Sequence, residues 1–168
     1  QKIIKAPQLG LGKVHNDYGQ GFYCTESLDL AKEWACSRDV DGFANRYELD
    51  MNDLNILDLL SPQYSIMHWI ALLIEHRSFR KDTAVAVGAC EYLHDHFLPD
   101  TEAYDVIRGW RADDSYFSYA RAFVNNTITV KQLGRSMRLG NLGEQIMLKS
   151  ERAFKNIRFA GFERAPLA

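Results

Sequence analysis

Apolar residues recur along the chain with two different periods, and the changes of period outline its elements. In residues 27–36, Leu28, Leu30, Ala31, Trp34 and Ala35 share one helical face, with Asp29, Lys32 and Glu33 opposite, which is the pattern of an amphipathic helix. Ser27 stands where an N-cap is needed, and Glu26 and Asp29 suit the positive end of the helix dipole. Residues 43–49 and 55–59 read as short strands on either side of a polar turn at 50–53. Residues 65–77 and 81–97 read as a helical pair, the first so apolar over 66–74 that it belongs in the core. A strand over 104–110, helices over 114–124 and 129–138, a strand over 145–149, a short helix over 150–154 and a strand over 157–162 complete the series. Strands with unevenly spaced helices predict an α+β fold rather than a regular βαβ repeat. Residues 10–21, polar and punctuated by glycine, read as a surface loop.

Composition narrows this picture. With 168 residues, 46% of them hydrophobic and 25% charged, the chain suits a single domain over 1–168 with a substantial core. No repeat or low-complexity linker divides it. A net charge of −2 with interspersed signs gives no basic stripe for nucleic acid or for a membrane surface. The apolar run 66–74 is too short to span a bilayer, so no membrane partner is expected. The three cysteines, Cys24, Cys36 and Cys90, form no CxxC pair, which favours a reducing, cytoplasmic compartment over a disulfide framework or a zinc ribbon. His94 and His96 are two positions apart, about 200° around a helix, and cannot chelate one ion from there. No metal is expected.

The stretch from Asn16 to Thr25 carries the most chemistry. Gly19 and Gly21 permit positive φ or close backbone approach, and Phe22, Tyr23 and Thr25 follow just before a helix start. A flat aromatic ligand can stack on Tyr23 while N–H groups at the helix start meet a phosphate. Trp34, eleven positions after Tyr23, offers a second wall. By pattern alone Phe22, Tyr23 and Trp34 fit better as core aromatics beside a glycine turn. Asp113 and Asp114 follow the 104–110 strand at a corner, where they either reach a cleft or cap the next helix. Arg108 and Arg111 flank Gly109-Trp110 and suit either a pyrophosphate or a solvated surface.

Gly21-Phe22-Tyr23-x-Thr25, followed by a helix with Ala31-x-x-Trp34, resembles the nicotinamide-binding segment of diphtheria-toxin-like and poly-ADP-ribose-polymerase-like transferases. Lys5-x-Pro7, Asp17-Tyr18-Gly19-Gln20-Gly21-Phe22-Tyr23-x-Thr25, Tyr104-Asp105-Val106-Ile107, Ala112-Asp113-Asp114, and Gln145-Ile146 before Ser150-Glu151-x-Ala153-Phe154 resemble the bacterial domain-of-unknown-function family 3990. That family is grouped with the ADP-ribosyltransferase superfamily. The resemblance implies a split β-sheet core with peripheral helices and a pocket for NAD as substrate. Asp17, Gly19, Gly21, Phe22, Tyr23, Thr25 and Trp34 would line the pocket, with Tyr23 and Trp34 sandwiching the nicotinamide ring. The superfamily's first motif, a histidine or arginine on an N-terminal strand, would precede Gln1, so the domain is expected to lack that strand; His15 is a poor substitute.

In the superfamily a glutamate at the start of a late strand holds the nicotinamide ribose, and the resemblance places Gln145, not Glu144, at that position. A glutamine bonds a ribose hydroxyl but carries no charge for the oxocarbenium-like cation, a loss of about 2–4 kcal/mol. Asp113 or Asp114 would then assist the leaving or accepting group. The function so implied is transfer of ADP-ribose from NAD to a macromolecule, as in a toxin or anti-phage effector with a small antitoxin or regulatory protein as partner. The alternative is a catalytically impaired NAD- or nucleotide-binding module that works through a protein partner. The acceptor (protein, RNA, DNA or water) stays open.

Overall fold

The computed structural model describes residues 2–36, 40–112, 114–139 and 143–166, with only the backbone described for 114–116 and 137–139. The elements run β1 (Phe22–Cys24), α1 (Leu28–Ala35), β2 (Gly42–Leu49), β3 (Ile56–Asp58), α2 (Ile66–His76), α3 (Ala84–Phe97), β4 (Val106–Trp110), α4 (Asp114–Val124), α5 (Val130–Leu139), β5 (Glu144–Leu148), α6 (Glu151–Lys155) and β6 (Ile157–Ala165). The mixed α+β class expected from the pattern is the one that forms. β1 is the element the pattern left unmarked, because three residues are too few to show an alternation. The helix starts follow local chemistry: the Oγ atoms of Ser27, Ser65 and Ser150 and Oγ1 of Thr83 each accept a backbone N–H of the first turn.

The strands divide between two sheets, a four-stranded one in the order β1-β5-β4-β3 and a two-stranded one of β2 with β6. The turn at 50–53 therefore links the two sheets and closes no hairpin. β2 pairs antiparallel with β6, and β3 pairs parallel with β4. Parallel neighbours need a long crossover, and the α2–α3 pair supplies it.

β4 and β5 are central and covered on both faces: Val106, Ile107, Met147 and Leu148 are at most 1% exposed. Alternation sends Ile107 and Met147 into the larger core, with Leu57 and with Trp69, Ile70, Leu72 and Leu73 of α2. Val106 and Leu148 face the other way, against Leu54 and Phe154. α2 is buried over five consecutive residues, Trp69 to Leu73, as an apolar-all-round helix must be; among the expected peripheral helices it is an internal one. α1 packs on β2 through small residues, with Ala35, Ala44 and Ala165 in contact. No helix among the described residues is long and apolar enough to cross a membrane.

Candidate functional site

The loop of residues 10–21 folds back over the end of β4 and the start of β5, and Asp17 fixes it there. The Asp17 carboxylate, 4% exposed, accepts three hydrogen bonds. They come from Arg77 Nη1 at 3.1 Å, the Ala112 N–H at 2.8 Å and Gln145 Nε2 at 3.0 Å. Burial raises the Asp17 pKa above its ordinary value, while the bonds from Ala112 and Gln145 and the charge of Arg77 oppose that rise. All three neighbours present hydrogens, so they suit the carboxylate form, which can only accept. A second acceptor lies beside it. The Trp110 carbonyl receives the Tyr18 hydroxyl, Trp69 Nε1 at 2.9 Å and Gln145 Nε2 at 3.2 Å. Gln145, 3% exposed, thus divides its amide protons between Asp17 and Trp110.

The aromatic residues of the expected cradle take separate places. Tyr23 on β1 donates its hydroxyl to the Gly19 carbonyl at 2.7 Å and accepts the Tyr18 N–H at 2.9 Å. Its ring stacks near Tyr18, with centroids 6.4 Å apart, and burial pushes its phenol pKa well up. Phe22, one residue earlier, points to the opposite face against Tyr47 and Phe154. Trp34 is half-buried on α1, where the Arg111 guanidinium lies 5.9 Å from its ring and is paired with Glu33 at 2.8 Å. The rings of Tyr23 and Trp34 do not touch each other.

The remaining expected residues shape the backbone. Thr25 Oγ1 donates to the Glu144 carbonyl at 2.9 Å and accepts the Ser27 N–H at 3.2 Å, which ties the β1–α1 corner to β5. Gly19 has φ of +89°, a conformation that side chains resist. Gly21 is demanded by contact: a Cβ there would overlap Met147 Sδ and come within 2.6 Å of the Leu148 carbonyl. Asp113 lies outside the described residues, and Asp114 opens α4 with its backbone alone described. The corner just before them is pinned, because the Ala112 N–H is held by Asp17.

Glu144 and Gln145 face opposite sides, as neighbours on a strand must. Glu144 is exposed and pairs with Arg108 at 2.8 Å; Glu26 lies 3.6 Å from the same guanidinium. Burial pushes the Cys24 thiol up to about 12, which makes it a poor nucleophile, and it packs against the cluster of Leu54, Val106 and Leu148. Among the described residues His15 reaches only the His76 carbonyl, at 3.3 Å. His94 pairs with Asp95 at 3.0 Å on the exposed side of α3. Among the described residues no group of three or more His, Cys, Asp or Glu side chains could hold a metal ion. Next to the network, a cavity of about 380 Å³ is lined by Leu60, Ser65, Trp69, Trp110 and Lys131, among others.

A family model described as Protein of unknown function (DUF3990) matches residues 1–159. The chain belongs to this family. No curated protein and no solved structure gives a significant match. Several residues of this DUF3990 domain that carried the resemblance have visible structural work. Asp105 accepts the Asn55 N–H at 2.8 Å and the Ser150 hydroxyl at 2.6 Å, while Ser150 Oγ caps α6 by accepting the Ala153 N–H at 3.1 Å. The residues that sequence reasoning missed are Arg77, Tyr18 as a donor, and the Trp110 carbonyl. Arg77 gave one faint signal, an arginine directly after the most apolar helix.

Proposed function

We propose that this DUF3990 domain is an NAD-dependent ADP-ribosyltransferase that modifies a macromolecule. The reading carries over an ADP-ribosyltransferase-like split-sheet core from the sequence resemblance. The observation that supports it most is the β1–α1 corner. Thr25 and Ser27 lock a short turn that sets Tyr23 on β1 and a half-buried Trp34 on the next helix, with Arg111 beside Trp34. Nicotinamide would enter between Tyr23 and Trp34, and Arg111 would meet the pyrophosphate after leaving Glu33. Gln145 would orient the nicotinamide ribose through its carbonyl oxygen, since its amide protons are held by Asp17 and Trp110. Asp113 and Asp114, which follow Ala112 in the sequence, would assist the departing or accepting group. A toxin or anti-phage effector restrained by a small protein partner suits such an activity.

A second reading, an NAD-binding module without turnover, is favoured by one observation. The side chain at the ribose position is neutral, buried and bonded inward. Two measurements separate the readings. Calorimetric titration with NAD should give binding, and Trp34→Ala should weaken it by about tenfold, the share of one stacking wall. Absence of binding at millimolar NAD would overturn both readings. Labelled NAD incubated with the protein and a cell lysate should leave label on protein or nucleic acid; NAD bound but unconsumed leaves the second reading.

A further inference from the structure

A second cavity takes no part in the proposed chemistry. It measures about 370 Å³ and is lined by residues including Tyr64, His68, His96, Phe97, Asp100 and Tyr104. Its size falls in the range of small-molecule sites. Tyr64 also lines the cavity beside Trp110, so the two cavities adjoin at that ring.

The hydrogen bonds around the two histidines fix what each ring offers. The Ser65 N–H donates to His68 Nδ1 at 2.9 Å. That nitrogen must carry a lone pair, so the proton of the His68 ring sits on Nε2, a donor. His96 Nδ1 lies 2.9 Å from the Tyr92 carbonyl. A carbonyl can only accept, so Nδ1 is protonated there, and Nε2 of the neutral ring is an acceptor. In their neutral forms the two rings differ, His68 offering Nε2–H as a donor and His96 offering Nε2 as an acceptor. Asp100 adds a carboxylate, one oxygen of which accepts the Glu102 N–H at 2.9 Å. The walls are aromatic: the His68 ring is edge-on to Tyr64 and Phe97, with centroids 5.2 and 5.3 Å away.

We propose that this cavity binds a neutral, planar, amino-substituted heteroaromatic ring, the adenine edge of a nucleoside being the chemistry that fits. An exocyclic amine would donate to His96 Nε2 or Asp100, and the adjacent ring nitrogen would accept from His68 Nε2–H. The aromatic side chains cover the ring faces. A phosphate gains nothing here, because the charged group on the rim is a carboxylate.

The test is an NMR titration of the whole protein with adenosine, inosine and adenosine monophosphate, reading the histidine and aromatic ring signals. Adenosine should shift the His68, His96 and Phe97 signals. Inosine, which lacks the amine, should bind about tenfold more weakly, and the monophosphate no better than adenosine. Ala103→Trp, on the exposed rim, should abolish binding by filling the opening. His96→Phe should weaken it about tenfold while keeping the ring that stacks on Tyr92. Trp34→Ala should change nothing here, which separates this cavity from the NAD pocket. The proposal is overturned if these rings do not respond at millimolar adenosine. It is also overturned if inosine binds equally well, or if binding survives both cavity variants or is lost with Trp34→Ala.

Discussion

The sequence resemblance sets Gln145 at the place of a catalytic glutamate, and its surroundings explain the amide. Asp17 and the Trp110 carbonyl are both acceptors, and a glutamine presents two N–H groups to them from one nitrogen. A glutamate would present none, and would set a second carboxylate about 3.0 Å from Asp17. Two carboxylates at that separation cannot both ionise without a large penalty, so one pKa rises steeply. Gln145→Glu should therefore cost at least about 2 kcal/mol at pH 7, and the deficit should shrink towards pH 5 as the pair takes up a proton. Urea unfolding at the two pH values measures this. An equal deficit at both would mean that Gln145 is not the donor that Asp17 depends on. The same geometry marks the limit of reading this residue from sequence. From sequence this glutamine looks like a lost acid until its neighbours, 128 and 35 positions away, show that it answers a need for donors.

At the scale of elements, the periodic segments were the legible part. α1, α2, α3 and the central strands announce themselves through amphipathic or apolar runs and through Ser or Thr caps. β1 was not legible, since its identity as a strand depends on β5, more than a hundred residues away. The partition into two sheets was hidden as well: the turn at 50–53 looks like a hairpin turn, and only long-range pairing sends β2 to β6 and β3 to β4. Asp105 shows how such distant elements are joined. Its carboxylate links the residue before β3 to the cap of α6 across the start of β4, with Arg152 3.8 Å away. The Ser150 hydroxyl bond first, and the Asn55 N–H next, hold its pKa below the ordinary carboxylate value. A lowered folded-state pKa gives stability that is present above the unfolded value and lost as pH falls through the folded one. Asp105→Asn should cost about 1–2 kcal/mol at pH 7, and the gap to the parent should close below about pH 4. Thermal unfolding from pH 7 to pH 3 checks it; a gap constant over that range would assign the loss to packing.

For the molecule as a whole, Arg77 is the residue on which the most parts converge. It follows α2, donates to Asp17 of the covering loop and to the Ala112 carbonyl at 2.9 Å, and lies 4.4 Å over the Phe117 ring of α4. Removing it leaves Asp17 buried with only neutral donors. For a fully buried pair such a break costs 3–5 kcal/mol; Arg77 keeps 21% of its side chain exposed, so Arg77→Met should cost about 2–4 kcal/mol. The pH dependence has a definite sign. Burial already raises the Asp17 pKa, and without the guanidinium it rises further. A raised folded-state pKa gives stability that is present at low pH and lost as pH rises through it. The Arg77→Met deficit should therefore be largest at pH 7 and above, and diminish as pH falls through the carboxylate range. Adding Asp17→Asn removes the stranded charge, so the double variant should lose less than the sum of the two single losses, a coupling that a double-mutant cycle reads directly. Strict additivity would mean that the loop, α2 and the α4 corner are held independently. Strong coupling would mean that the segment carrying Tyr23 and the corner at Ala112 are set by one buried charge, so that the proposed NAD binding and stability weaken together in Arg77→Met.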